Sequence, residues 1–293
     1  MINSDRPLKH LFLDAVSDEN ILKIQACITL GMDVNICDEE GVPALIHACG
    51  NLKMLELFLS QPKINVNIKY QIQGMTHVMT PLMTACGNGL TEAVQRLIQV
   101  PEIDLNFQNN KGVTAAMWAV TGGKDECVKM LRNVPGVNWN LKDKSGWSPI
   151  TYAINDGNSD ILRILLTIPN INPNITDSRG RTLYQIAKEK VSTHLPSVGY
   201  IECLLLLSED SRIKLNIKRK EKVIDTIKDD GVKAPECPIC YERYSRNSNI
   251  FQCSQGHFVC QRCNRQISHC PKCRGKMIGR AHDFEQFLHS LKI

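Results

Sequence analysis

No apolar run in the 293-residue sequence approaches the ~20 residues that a membrane-spanning helix needs. The longest strongly apolar stretch, around Leu204 to Leu207, falls far short. The opening MINSDRPLKHLFLDAV lacks the long apolar core of a secretory signal. Aromatic residues amount to 5 % and do not interleave with basic ones, which argues against a nucleic-acid surface built on stacking. Outside one cysteine-rich segment, no Cys–His pair is left over for nucleophilic catalysis.

What is present reads as ordinary globular protein, 43 % hydrophobic and 22 % charged, and long enough for two domains. Charge is uneven. Residues 1–210 hold 18 Lys and Arg against 22 Asp and Glu, whereas residues 211–293 hold 17 against 8. Of 13 cysteines, seven lie between Cys237 and Cys273. The other six (Cys27, Cys37, Cys49, Cys86, Cys127, Cys203) are scattered singly, as small core hydrophobes in a reducing compartment would be. The expected location is therefore the cytoplasm, with the nucleus as a further site.

The cysteine-rich segment runs Cys237-x2-Cys240-x12-Cys253-x3-His257-x2-Cys260-x2-Cys263-x6-Cys270-x2-Cys273. Its four ligand pairs are enough for two tetrahedral zinc ions, because Zn²⁺ takes thiolate and imidazole in closed four-coordinate sites and a C-x2-C turn brings two sulfurs to one ion. Pro238 and Pro271 follow the first cysteine of a pair and favour the tight turn. A segment this poor in large apolar residues needs the metal to fold, at about 10–16 kcal/mol per structural site. With two zincs bound by seven thiolates, the excess charge of the C-terminal part falls to about +6. Spacing leaves the ligation pattern open between interleaved pairs and a ribbon-like use of consecutive pairs.

The spacing resembles the C3HC4 RING finger family, and FQCSQGHFVCQRCNRQISHCPKCRG, residues 251–275, is similar to the RING of the seven-in-absentia group of ubiquitin ligases. That resemblance implies cross-braced ligation, with Cys237, Cys240, Cys260 and Cys263 on one ion and Cys253, His257, Cys270 and Cys273 on the other. It also implies a face for a ubiquitin-conjugating enzyme (E2). Ile239 matches the apolar contact of the first zinc loop, Ile267 that of the central helix, and Pro271 the proline of the second loop. Arg274 matches the basic residue that bridges E2 and ubiquitin. The zinc fingers and β-sandwich that follow the RING in that group are not matched here.

The first two hundred residues repeat with a period of 34. Gly112, Gly146 and Gly180 mark it, as do Ala85, Ala119, Ala153 and Ala187, and Pro101, Pro135 and Pro169. Each unit reads as a Gly turn, a short helix opening at Thr80-Pro81 or Ser148-Pro149 with Ser or Thr as its cap, and a second helix with a stripe such as Val94, Leu97 and Ile98. The pattern resembles the ankyrin repeat, with Met83, Met117 and Thr151 where the T-P-L-H-x-A signature has His. The fold class expected is mainly α: an ankyrin-repeat α-solenoid of about six repeats (5–37, 38–69, 70–108, 109–142, 143–176 and 177–210) followed by a small zinc-bound RING domain. Its terminal units are degenerate caps. Insertions fall near Tyr70 to Met79 and Ser192 to Tyr200.

Such an array binds protein on a concave surface and offers no catalytic constellation. The resemblance places contacts at hairpin tips: Glu39, Glu40, Asn110, Lys111, Val113, Lys144, Ser145, Trp147, Ser178, Arg179 and Arg181. Asn88, Thr121, Asn155 and Asp156 follow on the first-helix side. Trp147 is either a binding hot spot or packing for its hairpin. Trp118 is expected in the core, Trp139 is undecided, and His47 and His77 are expected to pack or lie at the surface. Residues 211–234 read as a charged linker, helical around Ile217, Ile224 and Ile227 and basic at Lys218, Arg219, Lys220 and Lys222. The RING occupies 235–279. In 280–293, Phe284, Phe287, Leu288 and Leu291 form an amphipathic helix that packs on the RING or on a second copy of it.

These features together predict a RING-type E3 ubiquitin ligase. The array recruits a protein substrate, and the RING positions E2-bound ubiquitin without a covalent intermediate of its own. A non-catalytic ankyrin and RING adaptor is the competing expectation; membrane and nucleic-acid partners are not expected.

Overall fold

The computed structural model describes residues 5–71, 76–193, 198–210, 212–213, 250–253, 258–265, 267, 269 and 277–280. The chain forms two compact units, Met1–Ile186 and Ala187–Ile293.

The first unit is a stack of helix pairs: α1 (Asp5–Ser17) with α2 (Ile21–Thr29), α3 (Ala44–Ala48) with α4 (Leu52–Leu59), α5 (Pro81–Asn88) with α6 (Thr91–Leu97), α7 (Ala115–Thr121) with α8 (Asp125–Arg132), and α9 (Pro149–Asn155) with α10 (Ser159–Leu166). First helices stack on first helices, from α1 through α3, α5 and α7 to α9, and second helices likewise from α2 to α10. No pair has enough apolar surface to bury alone, so the core is made by stacking. Ala85, Ala119 and Ala153 are fully buried, where a side chain larger than methyl would push successive helices apart. Val94 and Leu97 are buried as the stripe predicts.

Caps explain where these helices begin. Thr80 Oγ1 accepts from Met83 N, Thr114 Oγ1 from Met117 N, and Pro81 occupies the first position of α5. Ser148 departs from this expectation. It is fully buried, makes no cap bond, and shares a hydrogen bond with Thr151 Oγ1 at 3.1 Å instead. Threonine stands at 151 where the preceding repeats have methionine, so a hydroxyl partner draws the serine away.

A second set of polar groups ties one repeat to the next. Asn35, Asn67, Asn106 and Asn140 each donate to a main-chain carbonyl of the following loop, of Lys63, Glu102, Gly136 and Asn170 respectively. Their amide oxygens accept from the N–H of Asn65, Asp104, Asn138 and Asn172. All eight bonds span 2.6–2.8 Å. The asparagines recur in VNI, LNF and WNL, close to the 34-residue period, a signal in the sequence that the repeat reading did not use.

Helices α11 (Leu183–Thr193) and α12 (Val198–Glu209) follow. A three-stranded antiparallel sheet in the order β2-β1-β3 comes next, from β1 (Ile250–Cys253), β2 (Phe258–Cys260) and β3 (Met277–Arg280), with a short helix α13 (Gln261–Asn264) after β2. The helices expected in the linker and at the C-terminus lie outside the described residues. No described helix is long and apolar enough to cross a membrane.

Candidate metal centre and hairpin surface

Three of the eight expected zinc ligands fall among the described residues. Strand β1 pairs with β2 so that Ile250 faces Cys260 and Gln252 faces Phe258. Cys253 therefore lies past the far end of β2, about 10 Å along the strand from the Cys260 rung. Opposite ends of one hairpin suit ligands of two ions better than partners on one, since Zn–S bonds are only about 2.3 Å. Cys263 sits on α13 immediately after Cys260, only 3 % exposed and in no disulfide. The x2 spacing thus puts Cys260 and Cys263 at the same end. Strand β3 enters the sheet with Met277 beside Cys253, so the chain arriving from Cys273 joins at the Cys253 end. The backbone register thus sets Cys253 at one end of the small sheet and Cys260 and Cys263 at the other, and thiolate is a donor type that zinc takes.

Cys237, Cys240, His257, Cys270 and Cys273 lie outside the described residues, as do Ile239, Pro271 and Arg274. Ile267 is described and half-buried, and His269 is exposed. Among the described residues no group of three or more His, Cys, Asp or Glu is gathered for a metal ion.

In the first unit the hairpin tips are built on one side chain per repeat. Asp38, Asn109, Asp143 and Asp177 each turn Oδ1 back onto two N–H groups of their own hairpin, two and four residues on. The other terminal atom differs from repeat to repeat. Asp38 Oδ2 lies 2.8 Å from His47 Nε2, Asp143 Oδ2 accepts from the Tyr152 hydroxyl at 2.7 Å, and Asp177 Oδ2 accepts from Arg181 Nε at 2.8 Å. Burial would raise the Asp177 carboxyl, but the Arg181 N–H, its guanidinium and the Arg179 N–H together hold it below its ordinary value. Burial is likewise outweighed at Asp38, by the N–H groups of Val42 and Glu40 and by His47. Burial, and then the Asp143 carboxylate, push the Tyr152 phenol well above its usual range, so it stays a donor.

The Asn109 hairpin, second of these four, breaks the series. Asn109 Nδ2 is buried with no partner among the described residues, and so is Nε1 of Trp118, which occupies the place of His47 and Tyr152 nine residues on. Trp118 is half-buried rather than core, its ring tilted against that of His77 with the centroids 5.3 Å apart. Trp139 is buried, at 4 % exposure.

The expected substrate contacts now separate. Asn110 is exposed, yet its amide donates to Thr76 O at 2.7 Å and accepts from Val78 N at 3.0 Å. Arg181 is committed to Asp177, and Trp147 is half-buried edge-on against Tyr152 at 5.2 Å. Lys111, Lys144 and Arg179 are exposed.

Comparison with known proteins agrees with this architecture. Residues 68–143 match the family model described as ankyrin repeats (3 copies), and 145–178 match a further ankyrin repeat. Residues 237–273 match the RING finger of the E3 ubiquitin-protein ligases sina/sinah. The human E3 ubiquitin-protein ligase SIAH2 is 43 % identical over 42 residues, 14 % of this chain and 12 % of that one. Drosophila melanogaster E3 ubiquitin-protein ligase sina is 43 % identical over 42 residues, 14 % of this chain and 13 % of its own. The chain thus spans about an eighth of the length of these relatives. The ankyrin repeat protein EF0377 superposes with a TM-score of 0.58 at 22 % identity, covering 68 % of this chain and 96 % of that one. The ankyrin repeat domain of Bcl-3, of the IkappaB family, does so at 0.59 and 20 %, covering 73 % and 97 %. The chain is an ankyrin-repeat protein with a C-terminal RING finger of the seven-in-absentia type.

Proposed function

We propose that the protein is a RING-type E3 ubiquitin ligase in which the ankyrin array recruits a protein substrate and the RING brings E2-bound ubiquitin to it. The observation that carries this reading is the match to the sina/sinah RING from 237 to 273, running from the first of the eight ligands to the last. Cys237, Cys240, Cys260 and Cys263 would hold one Zn²⁺, and Cys253, His257, Cys270 and Cys273 the other. The placement of Cys253 and Cys260 at opposite hairpin ends supports two ions, and the entry of β3 beside Cys253 favours interleaved over consecutive ligation. Closed sites of this kind supply folding free energy rather than an open position for chemistry.

Catalysis then rests on positioning. Ile239, Ile267 and Pro271 form the apolar seat for E2. Arg274 grips E2 and ubiquitin together, its planar fork able to donate to carbonyls on both. Held in one pose, the ubiquitin thioester is open to attack by a substrate lysine, and no bond to this chain is formed. Such a ligase works in the cytoplasm or nucleus.

The test is autoubiquitination of the full chain with purified E1, a panel of E2 enzymes and the Ile239→Ala variant. Ubiquitin chains from the wild type and their loss in the variant support the ligase. No product with any E2 overturns it in favour of a non-catalytic adaptor.

A further inference from the structure

The hairpin tips at 109–113, 143–147 and 177–181 are fastened into a row. Lys144 N donates to Lys111 O at 2.9 Å, and Ser178 N to Ser145 O at 3.3 Å. On that row Lys111, Lys144 and Arg179 are exposed, and among the described residues none has a side-chain hydrogen bond or ion pair. Neighbouring cations are already used: Lys142 Nζ donates to Thr176 O at 2.7 Å, and Arg181 is paired with Asp177. The local carboxylates are also withdrawn. Asp143 is spent on its hairpin and Tyr152, Asp177 is 5 % exposed, and the hairpin at 109–113 has the uncharged Asn109 in that place. Each of these three repeats therefore presents one cation without a partner among the described residues, on a hairpin backbone fixed by main-chain bonds.

We infer that this row is the docking site for an extended acidic peptide of the substrate, with a carboxylate at every third residue. The geometry sets the interval. Stacked helices lie about 8–10 Å apart, and an extended chain advances about 3.3 Å per residue, so three residues span one repeat. Exposed Glu39 and Glu40 on the first hairpin end the acidic stretch and favour a basic residue there. A peptide fits better than nucleic acid, because one carboxylate per repeat matches one cation per repeat, whereas a polyphosphate brings a charge at every nucleotide to residues 1–210, which carry more acidic than basic groups. This inference deepens the ligase reading and rests on it for the role of the peptide as substrate, but not for binding itself.

The test is fluorescence anisotropy with the full-length protein, without E1 or E2, and a fluorescein-labelled peptide carrying glutamate at every third position. Binding is expected to weaken about tenfold in the Lys111→Glu, Lys144→Glu, Arg179→Glu triple variant, and to weaken when the same glutamates are clustered. If charge reversal perturbs the circular dichroism, the three Gln variants give the same readout. Absence of binding, equal binding of the clustered peptide, an unaffected triple variant, or tighter binding of single-stranded RNA would each overturn the inference. Because ubiquitin transfer is not read, failure here is distinct from failure of the autoubiquitination assay.

Discussion

Asn109 and Trp118 carry two buried donors with no acceptor among the described residues. The repeat one step on shows the remedy, since Asp143 at the equivalent position accepts from Tyr152. Asn109→Asp should supply the missing acceptor to the Trp118 indole and stabilise the array by about 1 kcal/mol, read as a rise in the urea midpoint. A fall in that midpoint would mean that a third carboxylate in the hairpin row costs more than the bond returns. Acid should act in the opposite direction. Asp38 and Asp177 are held below their ordinary value of 3.8, so their contribution is present above that pH and is lost as pH falls through the depressed folded values. Thermal melts from about pH 5 down to about pH 2 should show the loss, reduced in Asp177→Asn.

Among the elements, the hairpins tolerate least. Gly146 has φ of +79°, and a Cβ there would come within 2.4 Å of Ser178 N. Gly146→Ala should therefore cost at least about 2 kcal/mol, through the left-handed backbone and through displacement of the next hairpin. The readout is chemical denaturation, with a Gly31→Ala control whose Cβ meets nothing within 4 Å although its φ is also positive, at +91°. Much at this scale was legible. Thr80-Pro81 announced α5, and the alanines at 34-residue intervals announced stacked first helices, because caps and small residues act locally. Ser148 misled because its partner, Thr151, is one turn inside the helix and competes for the hydroxyl. The roles of Asn110 and Arg181 were not legible either. Both resemble free tip residues in sequence, but hydrogen bonds to Thr76, Val78 and Asp177 engage them.

For the molecule as a whole, the two kinds of stabilisation should separate. The helix pairs are held by apolar stacking and amide bonds, whereas the match of 237–273 to a RING finger implies that zinc stabilises that segment. A strong chelator, or Cys253→Ser, should abolish ubiquitin transfer while circular dichroism keeps most of its helical signal. Wholesale helix loss would contradict a metal-independent array. The RING segment announces itself in the spacing of its Cys and His, because coordination chemistry restricts residue type and interval, and the family match covers the same residues 237–273. Interleaving of the ligands is not encoded by spacing, since it depends on the register of β1 with β2 and β3. The asparagine amides at 35, 67, 106 and 140 bond the loop ahead through its main-chain atoms, Asn35 also donating to Asp33 of its own loop. They are therefore indifferent to which side chains that loop bears. A unit can be duplicated, deleted or exchanged, and its outward residues can drift toward a new target, without the joint between neighbours having to be reinvented.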